Sequence, residues 1–462
     1  MCACSDSPGP AGISGLRIVT AGTPADTVLH TNRFLLVEVL VDGQPAIGVP
    51  VIATAVPPDA EHRTTLMVDV VGGLGYTGSA DTTTGSHGQA SFRMSFGTVA
   101  SVARLAISVP SLGFSDTAEI DVAPGVPAGL FMSPLDTSLY VGGSYAIVAR
   151  VTDRYGNHRT EVPILSQLPG TATSLAGTQI NGLTIGRASI VVSYPPANLI
   201  DTAFASVVPH GVIAAAAGSA SPFPGGSIVR INLDGSGGTI LSVLPLVGLV
   251  EGVSYLQWSP DGSRVLFSAS VQGGWHLHHV SLAGVVTRLI PASAGFSADD
   301  WARYSADGNW IYFRGLRPGM FEGNIWRIHP DGTGLDSVPV VNKGIQPAPS
   351  PDGQRVAYVT TSAVLRLYDY VTGVDTALAV GVVSPHWSPD GSWIAYVDSG
   401  GLQLVRPDGS ETRSLPGGAQ NMDWSPDGDW IIAEKDGFEL VNVETGMVLP
   451  VRIPLFDPSW RP

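Results

Sequence analysis

Short runs of alternating apolar and polar residues fill this chain from end to end. No stretch carries the three-to-four-residue spacing of a long amphipathic helix. In the first part the runs are Phe34–Val41, Val49–Val56, Ala90–Phe96 and Ala103–Val109, each bounded by turn residues. A period of two places alternate side chains on opposite faces of a strand, so these segments predict half-buried strands of a two-sheet sandwich. Past Val212 the pattern becomes a cycle: short strand, tight turn, apolar strand, loop, strand, glycine turn, last strand. One cycle spans about 40 residues.

The tight turn is nearly the same each time. Trp258-Ser259-Pro260-Asp261-Gly262 is followed by Tyr304-Ser305-Ala306-Asp307-Gly308, Pro349-Ser350-Pro351-Asp352-Gly353, Trp387-Ser388-Pro389-Asp390-Gly391 and Trp424-Ser425-Pro426-Asp427-Gly428. Trp460-Arg461-Pro462 starts a sixth copy, and the leading residues are 46, 45, 38, 37 and 36 positions apart. Four antiparallel strands per repeat predict a propeller blade. Five units begin at Tyr255, Trp301, Gln346, Ser384 and Asn421. Residues 212–247 hold only the second to fourth strands of another, at Val212–Ala216, Ser227–Asn232 and Thr239–Leu244. Asp457–Trp460 supplies its missing first strand. The expectation is six blades, closed by the C-terminal strand, which leaves no open sheet edge.

The earlier part contains its own duplication. Asp116-Thr117-Ala118 leading to Val122-Ala123-Pro124-Gly125 matches Asp201-Thr202-Ala203 leading to Val207-Val208-Pro209-His210-Gly211. Gly48-Val49-Pro50-Val51 likewise matches Glu161-Val162-Pro163-Ile164. The predicted organisation is a tether at 1–11, sandwiches at 12–124 and 125–209, and a propeller at 210–462 closed by residues 457–462. The first sandwich is longer between Pro57 and Asp81, which predicts an unusual loop. The fold class expected is all-β: two tandem sandwiches followed by a six-bladed propeller.

Composition narrows the functions. With 56 glycines and 36 prolines in 462 residues, long helices are interrupted throughout, and 44% hydrophobic residues suffice for sizeable cores. The formal charge is −15, with −6 before His210 (15 acids, 9 Arg) and −9 after it (24 acids, 15 Lys plus Arg). No basic run exists to neutralise phosphates, so neither nucleic acid nor an anionic membrane surface is an expected partner. Cys2 and Cys4 are the only cysteines, so no disulfide staples a domain and no cysteine zinc site is expected. No apolar stretch reaches the ~18 residues of a membrane span.

Each candidate for chemistry has a structural counterpart. Asp261, Asp307, Asp352, Asp390 and Asp427 sit where a turn needs an aspartate to bond its own backbone, and the repeated aromatics sit where blades pack. The residue before each aromatic varies: Gln257, Arg303, Ala348, His386, Asp423 and Ser459. First strands line a propeller's channel, so Gln257, Arg303, His386 and Asp423 are candidate axial ligands for a carboxylate, a sugar acid or a cation. The alternative is an unspecific polar lining. His276 and His278 share a strand face at a spacing able to hold a metal, with polar packing between blades the preferred reading. No G-x-S-x-G elbow is present, and only His386 places an imidazole in the first-strand ring, so no catalytic residue and no cofactor are expected.

Three resemblances attach to these residues. The Ser-Pro-Asp-Gly units resemble the TolB-type, WD40-like propeller repeat, with departures at Ala306, Pro349 and the truncated last copy. Val151-Thr152-Asp153-Arg154-Tyr155-Gly156-Asn157 and Thr84-Gly85-Ser86-His87-Gly88-Gln89-Ala90 resemble steps of bacterial Ig-like domains of the invasin and intimin type. Ala3-Cys4-Ser5-Asp6-Ser7 resembles a bacterial lipoprotein processing site, with Cys4 as the lipidated residue and a signal peptide upstream of Met1. An ordinary terminus with two incidental cysteines is the alternative. Together the resemblances imply a periplasmic or cell-surface protein whose Ig-like spacers present the propeller to an envelope protein or glycan, with contact to the membrane only through a lipid. The rival implication is a metal-dependent, polysaccharide-lyase-like enzyme acting on acidic glycans.

Overall fold

The computed structural model describes residues 14–462 apart from 20–25, 30–32, 219–220, 225, 244–249, 272–273, 341–342, 419–420 and 436. Cys2 and Cys4 lie outside the described residues. Among those described, secondary structure is nearly all strand, with two single-turn 3₁₀ segments at Pro195–Ala197 and Ala292–Ala294. Among the described residues no helix is long and apolar enough to cross a membrane. The chain divides into two compact units: residues 1–133, 148–165 and 191–201, and residues 134–147, 166–190 and 202–462.

The first unit contains two packed sheets. One runs Gly15–Val19, Arg33–Val41, Gln89–Phe96 and Leu66–Val70; the other runs Asp26–Thr27, Phe114–Ala123, Val102–Val109, Pro50–Ala55 and Ser79–Thr83. Alternation decides which side chains meet: Leu35, Val37, Phe92 and Met94 face Val51, Ala53, Leu105 and Ile107 in one core. The segment expected to be an unusual loop instead contributes the strand Leu66–Val70, with Leu66 and Val68 buried. Arg93 on the neighbouring strand pairs with Asp69 at 2.6 Å, which ties this insertion to the sheet. Farther on, Gly129–Ser133 pairs with Val148–Thr152. At the turn after it, Asp153 accepts the N–H groups of Tyr155 and Asn157 and the Asn157 amide.

In the second unit, Asp136–Tyr140 runs parallel to the end of Leu199–Val208. Tyr140 fastens this strand to the backbone at Gly211 and Leu233. Its hydroxyl donates to the Gly211 carbonyl at 2.9 Å, accepts from the Leu233 N–H at 3.0 Å, and its ring stacks on His210.

Six four-stranded antiparallel sheets complete the unit. Blade 1 is Val212–Ala216, Ser227–Asn232 and Thr239–Val243, with the C-terminal Phe456–Trp460 as its innermost strand. Blades 2 to 6 have innermost strands Val250–Trp258, Ala298–Tyr304, Gly344–Pro349, Val383–Trp387 and Met422–Trp424. Each innermost strand touches the next, and that of blade 6 touches that of blade 1, so the ring is closed. The repeated aromatics bind blade to blade. Trp258 packs with Ala214 and Ile228 of blade 1, Tyr304 with Leu266 and Leu277 of blade 2, Trp387 with Ala357 and Val359 of blade 4, and Trp424 with Trp393 and Ala395 of blade 5. Trp460 packs with Ile432 and Leu440 of blade 6.

Candidate functional site

The five complete turns share one geometry. The serine hydroxyl donates to the aspartate two residues on at 2.5–2.6 Å, and the same carboxylate accepts the N–H two residues after it at 3.0–3.1 Å. The glycine takes φ between 63° and 79°, open to residues without a Cβ. These aspartates build turns, which accounts for their recurrence without any ligand.

One residue before each aromatic, and before Pro349 in blade 4, the six innermost strands bring Gln257, Arg303, Ala348, His386, Asp423 and Ser459 around the axis. Three of them reach onto the next blade's backbone. Ser459 of blade 1 accepts the Trp258 N–H at 3.0 Å, Gln257 of blade 2 accepts the Tyr304 N–H at 2.6 Å, and Asp423 of blade 6 accepts the Trp460 N–H at 2.9 Å. A buried N–H without an acceptor is expensive, so these side chains hold the blades together.

The other three junctions are built differently. Blade 4 carries Pro349 where its neighbours carry an aromatic, and proline has no N–H to offer. Arg303 of blade 3 is therefore not needed as a latch, and it could not accept a hydrogen bond in any case. Ala348 is short and polar-free, so the Arg303 guanidinium crosses in front of it and donates to His386 Nε2 of blade 5. His386 in turn faces Asp423, with Nδ1 3.6 Å from Oδ1, beyond hydrogen-bond reach.

Burial, then the neighbouring Arg303 cation, push the His386 pKa down to about 4, so the ring is neutral at pH 7. Accepting at Nε2 then puts its proton on Nδ1, toward Asp423. Burial opposes ionisation of Asp423, but His386, Arg303 and the Trp460 N–H outweigh it and hold the carboxyl below its usual range. Arg303 is thus a half-buried cation whose only hydrogen bond, among the described residues, is to a neutral ring.

Above this floor lies a cavity of about 360 Å³. Its walls are the blade aromatics Trp258, Tyr304, Trp387, Trp424 and Trp460 with turn prolines such as Pro260 and Pro389; its polar groups are Gln257, Arg303, His386 and Asp423. All four sequence-predicted axial residues therefore line one space. Arg303 and Pro385 also line a much smaller cavity of about 20 Å³ among Tyr255, Trp301, Gln346, Ser384 and Asn421.

Sequence reasoning missed this second layer. Tyr255, Trp301, Gln346, Ser384 and Asp457 all take φ of 51–59°, at bulges where the register of the first strands shifts. Left-handed backbone costs a non-glycine residue roughly 1–2 kcal/mol. Latches again appear here: Gln346 accepts the Ser384 N–H at 2.9 Å, and Asp457 accepts the Leu256 N–H at 3.3 Å. Burial pushes Asp457 up to about 6, against the pull of Arg303. Only the repeat register of these residues was visible in the sequence, as the first residue of each unit.

The His276 cluster resolves into packing between blades. His276 Nδ1 lies 2.8 Å from Asp299 of blade 3, and His278 is buried, its Nδ1 bonded to the His276 carbonyl and its ring stacked on Phe267. Asp299, distant in sequence from the histidines, is a residue that no sequence motif marked. Among the described residues no group of three or more His, Cys, Asp and Glu side chains is spaced to hold a metal.

No family model matches the chain. An uncharacterized protein of Agrobacterium fabrum is 30% identical over 161 residues, covering 30% of this chain and 53% of that protein. The chain thus spans about half the length of the curated relative it matches. Among solved structures, TolB from Acinetobacter baumannii is similar over 60% of this chain and 79% of its own, at 15% identity and a TM-score of 0.46. A protein assigned as TolB from Agrobacterium tumefaciens covers 53% of this chain and 89% of itself, at 20% identity and a TM-score of 0.42. An oligogalacturonate lyase in complex with manganese covers 53% and 72%, at 18% identity and a TM-score of 0.34. At these identities the similarity concerns backbone fold and not function.

Proposed function

We propose that this chain is a non-enzymatic binding or scaffolding protein of the cell envelope, in which Ig-like spacers present the propeller and its axial cavity takes a carboxylate-bearing group of a protein or glycan. One observation carries the reading. Arg303, at the floor of a roomy cavity walled by aromatics and prolines, is a cation with no carboxylate hydrogen-bonded to it among the described residues. An incoming carboxylate would gain a charge-assisted bond in a partly desolvated site, and the apolar walls would supply contact area. A spacer role for the N-terminal sandwiches and a lipid on Cys4 belong to the same proposal.

The rival, a metal-dependent lyase on acidic glycans, has less support. Asp423 is engaged by Ser459 and Trp460, and Gln257 Oε1 by Tyr304, so neither is poised as a ligand or base. Recovery of partners from an envelope extract, run in parallel on a glycan array, tests the proposal. Wild-type protein should retain a protein or an acidic glycan that Arg303→Met does not. Equal retention by both, or none by either, counts against it. Stoichiometric metal in the purified protein would favour the rival.

A further inference from the structure

The axial cavity leaves a ligand few side-chain groups to bond. Its serines are committed: Ser305, Ser388 and Ser425 each donate to a turn aspartate at 2.5–2.6 Å and accept a turn N–H at 2.9 Å. Gln257 Oε1 accepts the Tyr304 N–H, and Asp423 accepts the Ser459 hydroxyl and the N–H groups of Trp424 and Trp460. The Tyr304 hydroxyl and Trp258 Nε1 are sealed within the protein. Two sets of donors remain. One is the Arg303 guanidinium; the other is the Gln257 amide, whose Nε2 has no acceptor among the described residues.

The walls are apolar, yet none of their aromatic faces is open. Trp258, Tyr304, Trp387, Trp424 and Trp460 are each no more than 8% exposed. Trp258 packs on blade 1 and lies under the Arg461 guanidinium, and Trp387 packs on blade 4 and lies under that of Arg355, each 5.2 Å away. A sugar ring therefore has no surface to stack on. Its hydroxyls would also need acceptors, and each one buried without a partner weakens binding. The cavity is blind as well. Beneath Arg303 lies only the space of about 20 Å³, room for about one water. A chain cannot thread through, and an internal aspartate would bring both arms of its backbone, with their N–H donors, into a space short of acceptors.

We propose that the axial cavity is a socket for the C-terminal end of a polypeptide whose last residue is proline, with the terminal carboxylate on Arg303 and the preceding carbonyl on Gln257 Nε2. An acyl-proline end matches the groups on offer: two acceptors, no N–H on the last residue, and an apolar ring for walls that include Pro260, Pro351, Pro389 and Pro426. The proposal rests on the carboxylate reading of this cavity and narrows it to one class of ligand.

Calorimetric titration of the full chain tests it with four ligands: acetyl-Ala-Ala-Pro and acetyl-Ala-Ala-Ala as free acids, acetyl-Ala-Asp-Ala-amide, and digalacturonate. The proline acid should bind at least about tenfold more tightly than the aspartate peptide or digalacturonate. It should exceed the alanine acid by about threefold, because alanine brings an N–H without an acceptor. Gln257→Ala should weaken the proline acid by about threefold and leave cyclopentanecarboxylate unchanged, since that acid has the ring but no acyl carbonyl. Equal or tighter binding of the aspartate peptide or digalacturonate would overturn the inference and leave the carboxylate reading standing. Binding of none of the acids would overturn both. Equal binding of the alanine acid would overturn the assignment of proline, and equal weakening of both ligands in Gln257→Ala would overturn the carbonyl contact.

Discussion

The ring around the propeller axis has two unlike halves. From blade 6 through blade 1 to blade 3, polar side chains at the first-strand position cap the next blade's backbone: Asp423 to Trp460, Ser459 to Trp258, Gln257 to Tyr304. From blade 3 to blade 6 the side chains at that same position make no such caps among the described residues; the Gln346 latch to Ser384 sits two residues earlier, and Arg303 and His386 interact with each other across Ala348. The same repeat position thus does two jobs. Where the next residue has an N–H to offer and the side chain can accept it, the side chain is structural. Where Pro349 removes the donor and Ala348 removes the obstacle, a charge is left to face the cavity. Variation between repeats is therefore not by itself a mark of function.

Breaking the latched half should cost stability, most at its most heavily used residue. Asp423→Ala strips the acceptor from Ser459 and Trp460 and a countercharge from Arg303, and should destabilise by about 3 kcal/mol in urea unfolding. A loss under about 1 kcal/mol would mean the latch is ornamental.

Acid should act through His386. Its pKa is depressed in the fold, so its contribution is present above the ordinary 6.5 and is lost as pH falls toward about 4. Asp457 acts oppositely: raised to about 6, it favours the fold at low pH and loses that advantage as pH rises through 6. Wild type should lose about 2 kcal/mol more than His386→Asn between pH 7 and pH 4.5. Parallel pH profiles of the two proteins would remove His386 as the cause.

Gln257→Ala orphans one buried N–H, of Tyr304, and should cost about 1–2 kcal/mol, less than Asp423→Ala. Arg303→Met, on the open half, should change stability by under about 1 kcal/mol, since a charge is exchanged for an apolar chain of similar length. If Arg303→Met destabilised as much as Gln257→Ala, the distinction between the halves would fail.

Much of this architecture was legible in the residues. The Ser-Pro-Asp-Gly spacing marked the blade turns, and Trp460 marked the strand that joins blade 1. The strand Leu66–Val70 was also readable, since Leu66, Val68 and Val70 alternate with Met67 and Asp69, but the longer spacing suggested a loop. The site was only half legible. Sequence placed Gln257, Arg303, His386 and Asp423 on one axis, yet could not sort latches from free groups, because that depends on which backbone N–H each side chain meets. The left-handed residues at Tyr255, Trp301, Gln346, Ser384 and Asp457 were hidden for a similar reason: none is a glycine, so composition gave no warning of positive φ.

The axial claim is tested most directly with a small acid and its neutral twin. Ligand-observed NMR should detect N-acetylproline binding to wild-type protein, with N-acetylproline amide at least about tenfold weaker, the difference expected of a charge-assisted bond. Arg303→Met should remove that preference while Gln257→Ala keeps it. Equal binding of acid and amide, or an undiminished preference in Arg303→Met, would contradict the account.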